Sequence, residues 1–239
     1  MKLQLTAALL TGLVPSPTFA HEIKSPVDSA NPAAFDIVTA SAMTDGHLTT
    51  FVMEVAEGVG TVIPKPIGKL AGAGVDAYVW PTKINPSRVG FDEGSGLLAL
   101  AVTAHPDFDD TPLFDENSDG DPTNDGRSWH THWVILNEDP TCGAGLKVRD
   151  ITPGNDLLPP TAPGLPIALD SPGMSPILNG DRLQITVPLK DAELSAFDAV
   201  TAKLQVNENA EVPLLCVTSV QDIASGDLSF PGVIMQQSR

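Results

Sequence analysis

The sequence predicts an all-β protein, an antiparallel β-sandwich with long loops and at most short helices. Twenty glycines and 22 prolines are spread between short apolar runs, which is typical of strands joined by turns. The intervals between these runs are too short for regular crossover helices, so a parallel α/β sheet is disfavoured. The strands expected in chain order are Phe35–Ser41, Leu48–Val55, Ala77–Pro81, Leu97–Ala104, Ser128–Leu136, Arg182–Pro188, Ala202–Val206 and Pro213–Val220.

The spacing of apolar residues supports individual strands. Every second residue of 182–189 is apolar, as on a strand with one buried face: Leu183, Ile185, Val187 and Leu189. The segment Leu97–Ala104 is apolar on both faces, which indicates a central strand. The segment Asp191–Ala199 is the one place where a short helix is expected.

The first 20 residues are expected to be a signal peptide, followed by one metal-binding β-sandwich domain over 21–239. Lys2 supplies a positive start, an apolar stretch covers Leu5–Val14, and Thr18-Phe19-Ala20 resembles a cleavage site. The apolar stretch is too short to span a bilayer, and no other membrane-spanning segment is expected. These features predict a protein that is secreted, periplasmic or attached to the cell surface.

The charge of the chain is strongly acidic. Without Lys2, 12 basic residues remain against 30 acidic ones, which gives the mature chain a net charge of −18. This charge argues against nucleic acid and anionic membranes as partners and favours cations. The net charge alone does not identify a protein partner. Eight of the carboxylates lie between Asp107 and Asp125.

The chain has two cysteines, Cys142 and Cys216. In a secreted protein such a pair usually forms one disulfide, and that is the pairing expected here. The alternative is a thiolate site for Cu(I), which prefers soft sulfur ligands.

The segment Trp129–Trp133 contains two histidines two residues apart. On a strand, alternate side chains point to the same face, so His130 and His132 lie together and Trp129, Thr131 and Trp133 face the other way. Two imidazoles on one strand face can hold one Zn or Cu ion. The alternative is a solvent-facing strand that carries two histidines by chance.

Two further histidines are candidates for a third ligand. His47 precedes the strand Leu48–Val55, at the end of its apolar stripe. A lone histidine there would ordinarily be a buried side chain bonded to a carbonyl, but beside a histidine pair it is the first choice of ligand. His105, which follows Leu97–Ala104, is the alternative third ligand or a group that supports one.

His21 would become the first residue of the mature chain, where its amine and one ring nitrogen can chelate copper. At this one position the chain resembles the lytic polysaccharide monooxygenases, whose copper brace uses an N-terminal histidine. The alternative is chance, because signal peptidase has little preference for the residue after the cut.

The segment Asp115–Asp121 fits the opening of a calcium-binding loop, D-x-[DN]-x-[DN]-G. Asp115, Asn117, Asp119 and Asp121 are the expected oxygen ligands. The twelfth position is Gly126, where an EF-hand has a bidentate glutamate. We therefore expect an isolated loop closed by another acidic side chain: Asp107, Asp109, Asp110 or Asp125. The alternative is a solvated acidic loop.

Four segments resemble the CorA/MopE group, the secreted, copper-repressible surface proteins of methanotrophs. They are residues 78–82, 105–117, 129–133 and 213–217. The resemblance implies a protein that binds Cu(I) through histidines and an oxidised tryptophan, with a calcium site beside it. It also implies a role in copper acquisition or storage.

The leading hypothesis is a secreted protein that binds copper at His47, His130 and His132 and calcium at Asp115–Asp121, without catalysing a reaction. A metalloenzyme is the second hypothesis, either a zinc hydrolase on three histidines or a copper oxidase that uses His21. The third is a structural or adhesion module stabilised by calcium alone. The chain has neither a nucleophile elbow nor a glycine-rich phosphate loop.

Overall fold

The structure, a computed structural model, describes residues 22–152 and 154–237. Within these ranges the helices are three single turns of 3-10 helix, at Ala33–Phe35, Pro86–Arg88 and Asp125–Arg127, and strands make up the rest of the regular structure. The predicted all-β class is therefore confirmed. The predicted signal peptide and His21 lie outside the described residues.

Fifteen strands are present in these ranges. In chain order they are β1 (Ile23–Lys24), β2 (Ile37–Asp45), β3 (Leu48–Val55), β4 (Gly74–Pro81), β5 (Leu97–Ala104), β6 (His130–Glu138), β7 (Leu146–Val148), β8 (Leu169–Asp170), β9 (Ile177–Asn179), β10 (Arg182–Pro188), β11 (Ala196–Phe197), β12 (Val200–Val206), β13 (Leu215–Ile223), β14 (Gly232–Val233) and β15 (Met235–Gln236).

The first sheet is open, with the strand order β1-β2-β3-β10-β9, and β15 pairs with β2 in parallel. Its central strands alternate between a buried and a more exposed face. On β3 the face towards the core carries Thr49, Phe51, Met53 and Val55, and all four are buried. On β10 they are Leu183, Ile185 and Val187. This is the period expected of strands with one face on a core.

The second sheet has the order β5-β4-β12-β13-β7-β6-β8, and β6 also pairs with β5. That additional pairing joins the two ends of a six-stranded array, so β4, β5, β6, β7, β12 and β13 form a closed barrel. Closure leaves these strands without a free edge between them. Strand β8 extends the sheet beyond β6.

Two hydrophobic cores lie on opposite sides of the barrel wall. One core fills the space between the first sheet and the outer faces of β4, β5 and β6, and its largest buried side chains are Trp80, Trp133, Tyr78, Phe35 and Phe51. The other core is the barrel interior, where many wall residues are small, including Ala77, Ala99, Ala101 and Ala202. Because β5 lies between two strands and touches both cores, both of its faces are apolar, as predicted.

The prediction of a short helix at Asp191–Ala199 is wrong. Asp191 and Leu194 have φ values of 54° and 65°, a left-handed conformation that a right-handed helix cannot include. The segment instead forms a turn followed by β11, which pairs with β14.

The predicted disulfide is present. Cys142, in the loop after β6, is bonded to Cys216 on β13, 74 residues along the chain. Neither sulfur is therefore available as a thiolate ligand, which removes the alternative of a cysteine Cu(I) site.

We expect the double variant Cys142→Ser/Cys216→Ser to lose about 4–5 kcal/mol of unfolding free energy, because the bond closes a long loop in the unfolded chain. Urea unfolding followed by circular dichroism measures this loss. Wild-type protein under reducing conditions is the control and should show the same midpoint as the variant. A loss below about 1 kcal/mol would contradict the chain-entropy account.

Candidate metal centre

Four buried side chains converge at one end of the barrel: His105, Asp110, His130 and His132. None is more than 4% exposed. Each offers one ligand atom, and all four atoms lie within 4.8 Å of one another. In the described ranges this is the only group of three or more His, Cys, Asp or Glu residues that converges in this way.

The pairing of β5 with β6 positions the three histidines. His130 and His132 lie opposite Thr103 and Ala101 on β5, and their side chains share one face of β6, as predicted. His105 comes immediately after β5, so the same strand pair brings its ring beside them. The ring centroids of His105 and His130 are 4.6 Å apart.

The loop that follows β5 holds both His105 and Asp110 in place. The His105 ring stacks on Phe108 at 4.0 Å between centroids, and its backbone N–H donates to the Gly126 carbonyl at 2.6 Å. The Ser171 hydroxyl donates to the Asp110 carbonyl at 2.6 Å. The contacts with Gly126 and Ser171 come from other parts of the chain and order the loop.

The outer nitrogen of each ring faces a backbone acceptor. His105 Nδ1 lies 3.0 Å from the Phe108 carbonyl, and His130 Nδ1 lies 2.7 Å from the Ser128 carbonyl. His132 Nδ1 lies 3.3 Å from the Asp170 carbonyl and 3.1 Å from Ser171 Oγ. A carbonyl accepts only, so the outer nitrogens of His105 and His130 carry the proton. The same arrangement for His132 leaves all three Nε2 lone pairs directed at the centre.

The inner atoms have few donors beside them. The Thr103 hydroxyl lies 3.3 Å from His130 Nε2. Asp110 Oδ1 and His132 Nε2 are buried without a hydrogen-bond partner, although Asp110 Oδ1 lies 3.1–3.4 Å from all three Nε2 atoms. His105 Nε2 and His130 Nε2 are 2.9 Å apart. Acceptor atoms this close repel one another unless a proton or a cation lies between them, and uncompensated buried polar atoms are rare.

Asp110 is ionised in this setting. Burial opposes its ionisation, but positive charge on His105 and His132 and hydrogen bonds from the His105 and His130 rings hold the pKa of Asp110 well below its usual range. With the rings neutral, a cation at the centre would supply that positive charge instead. The site thus combines one buried anion with three imidazoles.

The spacing of these atoms fits a single ion. Zn–N bonds of about 2.0–2.1 Å place tetrahedral ligand atoms roughly 3.3–3.4 Å apart. Four of the six separations among the ligand atoms are 2.9–3.4 Å, close to that edge length, and the other two are at most 4.8 Å. Three nitrogens and one oxygen are therefore close enough together to share one metal ion.

His47 is not part of this group, which corrects the first choice of third ligand. It lies exposed in the tight turn between β2 and β3, on the other sheet, and its carbonyl accepts a hydrogen bond from Leu189. The apolar stripe of β3 is buried from Thr49 onward, but the chain turns before His47 reaches that face. His105, the alternative, occupies the position instead.

The predicted calcium ligands lie in an exposed loop whose oxygens cap backbone groups. Asp115 accepts from the N–H groups of Asp119 and Gly120 at 3.1 and 2.8 Å. Asn117 and Asp119 cap the N–H groups of residues 119 and 121, and Asp121 caps that of residue 123. The carboxylates do not converge on one point here, and calcium binding stays a prediction.

Two acidic residues beside this loop have a structural role. Asp125 is 1% exposed and accepts from the N–H groups of Glu116 and Asn117. Asp109 accepts from the N–H groups of Thr111 and Asp125. Asp110 lies between them in the same segment but faces the histidines, so it is a candidate metal ligand and not the closing ligand of a calcium loop.

The tryptophan ligand implied by the family resemblance is not in the group. Trp129 packs against Tyr78 and donates its indole N–H to the Gly60 carbonyl at 2.8 Å. Trp133 is 2% exposed in the core between the sheets. Both lie on the face of the β6 segment opposite the histidines.

Sequence reasoning also missed Gly126. A Cβ there would collide with the Phe108 and His105 carbonyl oxygens and approach His105 Nδ1 to 3.0 Å. Only glycine allows the two loop segments to meet beside the ligand. In the sequence, Gly126 stands out only as the twelfth position of the apparent calcium loop. That position relates Gly126 to calcium binding and not to the placement of His105.

Comparisons with known proteins leave the site to be interpreted from its geometry, because no family model, curated protein or solved structure matches this chain. In the part of the chain that the structure describes, no helix is both long and apolar enough to cross a membrane.

Removing one histidine of the group should abolish stabilisation by metal. With Zn²⁺ at 100 times its Kd, wild-type protein should gain about 2.7 kcal/mol of unfolding free energy, whereas His132→Ala should gain almost none. His47→Ala is the matched control and should behave as wild type. Thermal unfolding with and without Zn²⁺ measures both effects. Equal stabilisation of the two variants would show that the metal binds elsewhere.

The Ser171 hydroxyl should matter for affinity although it lies outside the ligand set. Ser171→Ala removes a contact of His132 Nδ1 and a hydrogen bond to the Asp110 carbonyl, so we expect metal affinity to fall about tenfold. Competition with a chromophoric chelator measures the change. Ser219→Ala, on β13, is the control and should leave the affinity unaltered. An unchanged affinity in Ser171→Ala would exclude a positioning role for the hydroxyl.

Proposed function

We propose that this protein binds one transition-metal ion at His105, Asp110, His130 and His132. The observation that carries this proposal is the convergence of three imidazole nitrogens and a carboxylate with no donor among them. A cation resolves the repulsion among these atoms and gives Asp110 Oδ1 and His132 Nε2 the partner that they lack. Because these side chains are already held in place, little side-chain conformational entropy is lost when the metal binds.

The donor set favours a divalent ion. A carboxylate oxygen is a hard ligand, and imidazole suits Zn, Cu, Fe and Ni. Zn²⁺ fits best, because its electrons impose no geometry of their own and four nitrogen and oxygen ligands are a usual set for it. Cu(I), implied by the family resemblance, prefers soft ligands, and the disulfide withholds both thiols.

Copper is the second candidate metal for a specific reason. In a given set of nitrogen and oxygen ligands Cu²⁺ binds more tightly than Zn²⁺, so the ion found in the protein depends on supply as well as on geometry. A role in copper acquisition or storage, as the resemblance implies, is compatible with this donor set when the ion is Cu²⁺.

Secretion is part of the proposal. The leader-like first 20 residues support it, and so does the Cys142–Cys216 bond, because disulfides persist in oxidising compartments. The strongly acidic chain would concentrate cations near its surface in such a compartment.

The decisive experiment is to purify the mature protein from its native secretion route without chelators and measure its metal content and intact mass. We expect one zinc or copper per chain and a mass that lacks residues 1–20. In the double variant His105→Ala/His132→Ala the metal should be absent, and in His47→Ala it should remain. Wild-type protein with no transition metal, even after reconstitution, would overturn the proposal.

The same measurement tests the calcium prediction independently. Calcium that is lost in Asp115→Asn/Asp119→Asn while the transition metal remains would show a separate site in the loop. Calcium that is absent from wild-type protein would leave the loop as a hydrogen-bonded turn without an ion.

A further inference from the structure

The interior of the barrel contains a cavity of about 90 Å³. Its wall is aliphatic over most of its length, and alanines at three of its positions leave the space open: Ala77, Ala101 and Ala202. A dry apolar cavity of about 150 Å³ takes a benzene molecule. By that comparison the barrel cavity accommodates an aliphatic chain of about three or four carbons.

One end of the cavity is the metal centre. Its wall includes His105, Asp110 and His132 but not His130. A further ligand that reaches the ion from the cavity would therefore approach it beside His105, Asp110 and His132, and would raise its coordination number to five. Zn²⁺ adopts five coordination in this manner when it binds an additional group.

The net charge at the metal end of the cavity favours an anionic ligand. A divalent ion with three neutral imidazoles and the Asp110 carboxylate has a net charge of +1. The other ionisable side chains of the cavity wall are His105 and His132, which would themselves bind the ion. A buried charge is stabilised by a counter-charge in contact with it, and apart from Thr103 the remainder of the wall is apolar.

The opposite end of the cavity approaches the protein surface. Leu97 and Leu136 are paired at the end of β5 and β6 away from the histidines, and both are partly exposed. Val220, also in the wall, is 38% exposed. A small molecule that entered from this side would have its charged end directed at the metal.

We propose that the barrel cavity binds a short-chain aliphatic monocarboxylate whose carboxylate becomes the fifth ligand of the metal ion. This binding site rests on the proposed metal-binding function, since it is the ion that attracts the carboxylate. The alkyl chain lies along the alanines of the wall, and the buried methylenes provide the selectivity.

The test uses the full mature protein loaded with Co²⁺, whose d–d absorption weakens when four coordination becomes five. Acetate, propionate, butyrate and pentanoate are titrated in turn. We expect affinity to rise about fourfold with each methylene, as for transfer of a CH₂ group from water, until the cavity is full. Affinity that is independent of chain length would overturn the cavity site.

The two proposals fail in distinguishable ways. If Co²⁺ does not bind, the metal-binding proposal fails, and the carboxylate site fails with it. If one Co²⁺ binds and none of the acids alters its spectrum, only the carboxylate site is overturned.

Two variants on β12, away from the ligands, test the cavity directly. Ala202→Leu fills it, so butyrate should bind at least tenfold more weakly while acetate and Co²⁺ binding stay unchanged. Leu204→Ala enlarges it and should shift the preference to longer acids. Ala30→Leu, on an exposed loop, is the control and should match wild type. Should Ala202→Leu not fold, an unshifted preference in Leu204→Ala is enough to overturn the proposal.

Discussion

The pairing of β5 with β6 is the constraint on which the rest of the structure depends. It closes the barrel, and it sets which side of the wall each residue of β6 faces. Trp133 and Ile135 enter the core between the sheets, while His130 and His132 face the barrel side. Because strand side chains alternate strictly, a slip of one residue would exchange these two sets. A single register thus specifies a hydrophobic core and a polar centre together.

Local periodicity explains what could be predicted from the sequence. Alternation identified the strands around Phe51 and Ile185, placed His130 and His132 on one face, and indicated the central position of β5. The disulfide followed from the number of cysteines and the expected compartment. Closure of the barrel was not predictable in this way, because the pairing partners of β4, β7, β12 and β13 depend on contacts between distant segments.

The incomplete prediction of the metal centre has the same physical origin. The apolar stripe that His47 continues favours it as a ligand, but a tight turn intervenes and exposes it. The neighbouring carboxylates make Asp110 a candidate for the acidic loop. Its neighbours Asp109 and Asp125 bind backbone N–H groups, and this leaves Asp110 free to face the histidines. Nothing in the local sequence separates these roles.

The alanines that keep the barrel open also affect its response to hydrostatic pressure. An aliphatic void makes the folded protein occupy more volume than its atoms require, and unfolding eliminates that excess. Compression therefore shifts the equilibrium away from the native barrel more strongly than it would for a filled one. Any molecule that occupies the void removes part of this volume difference, so the barrel's resistance to compression depends on what it contains.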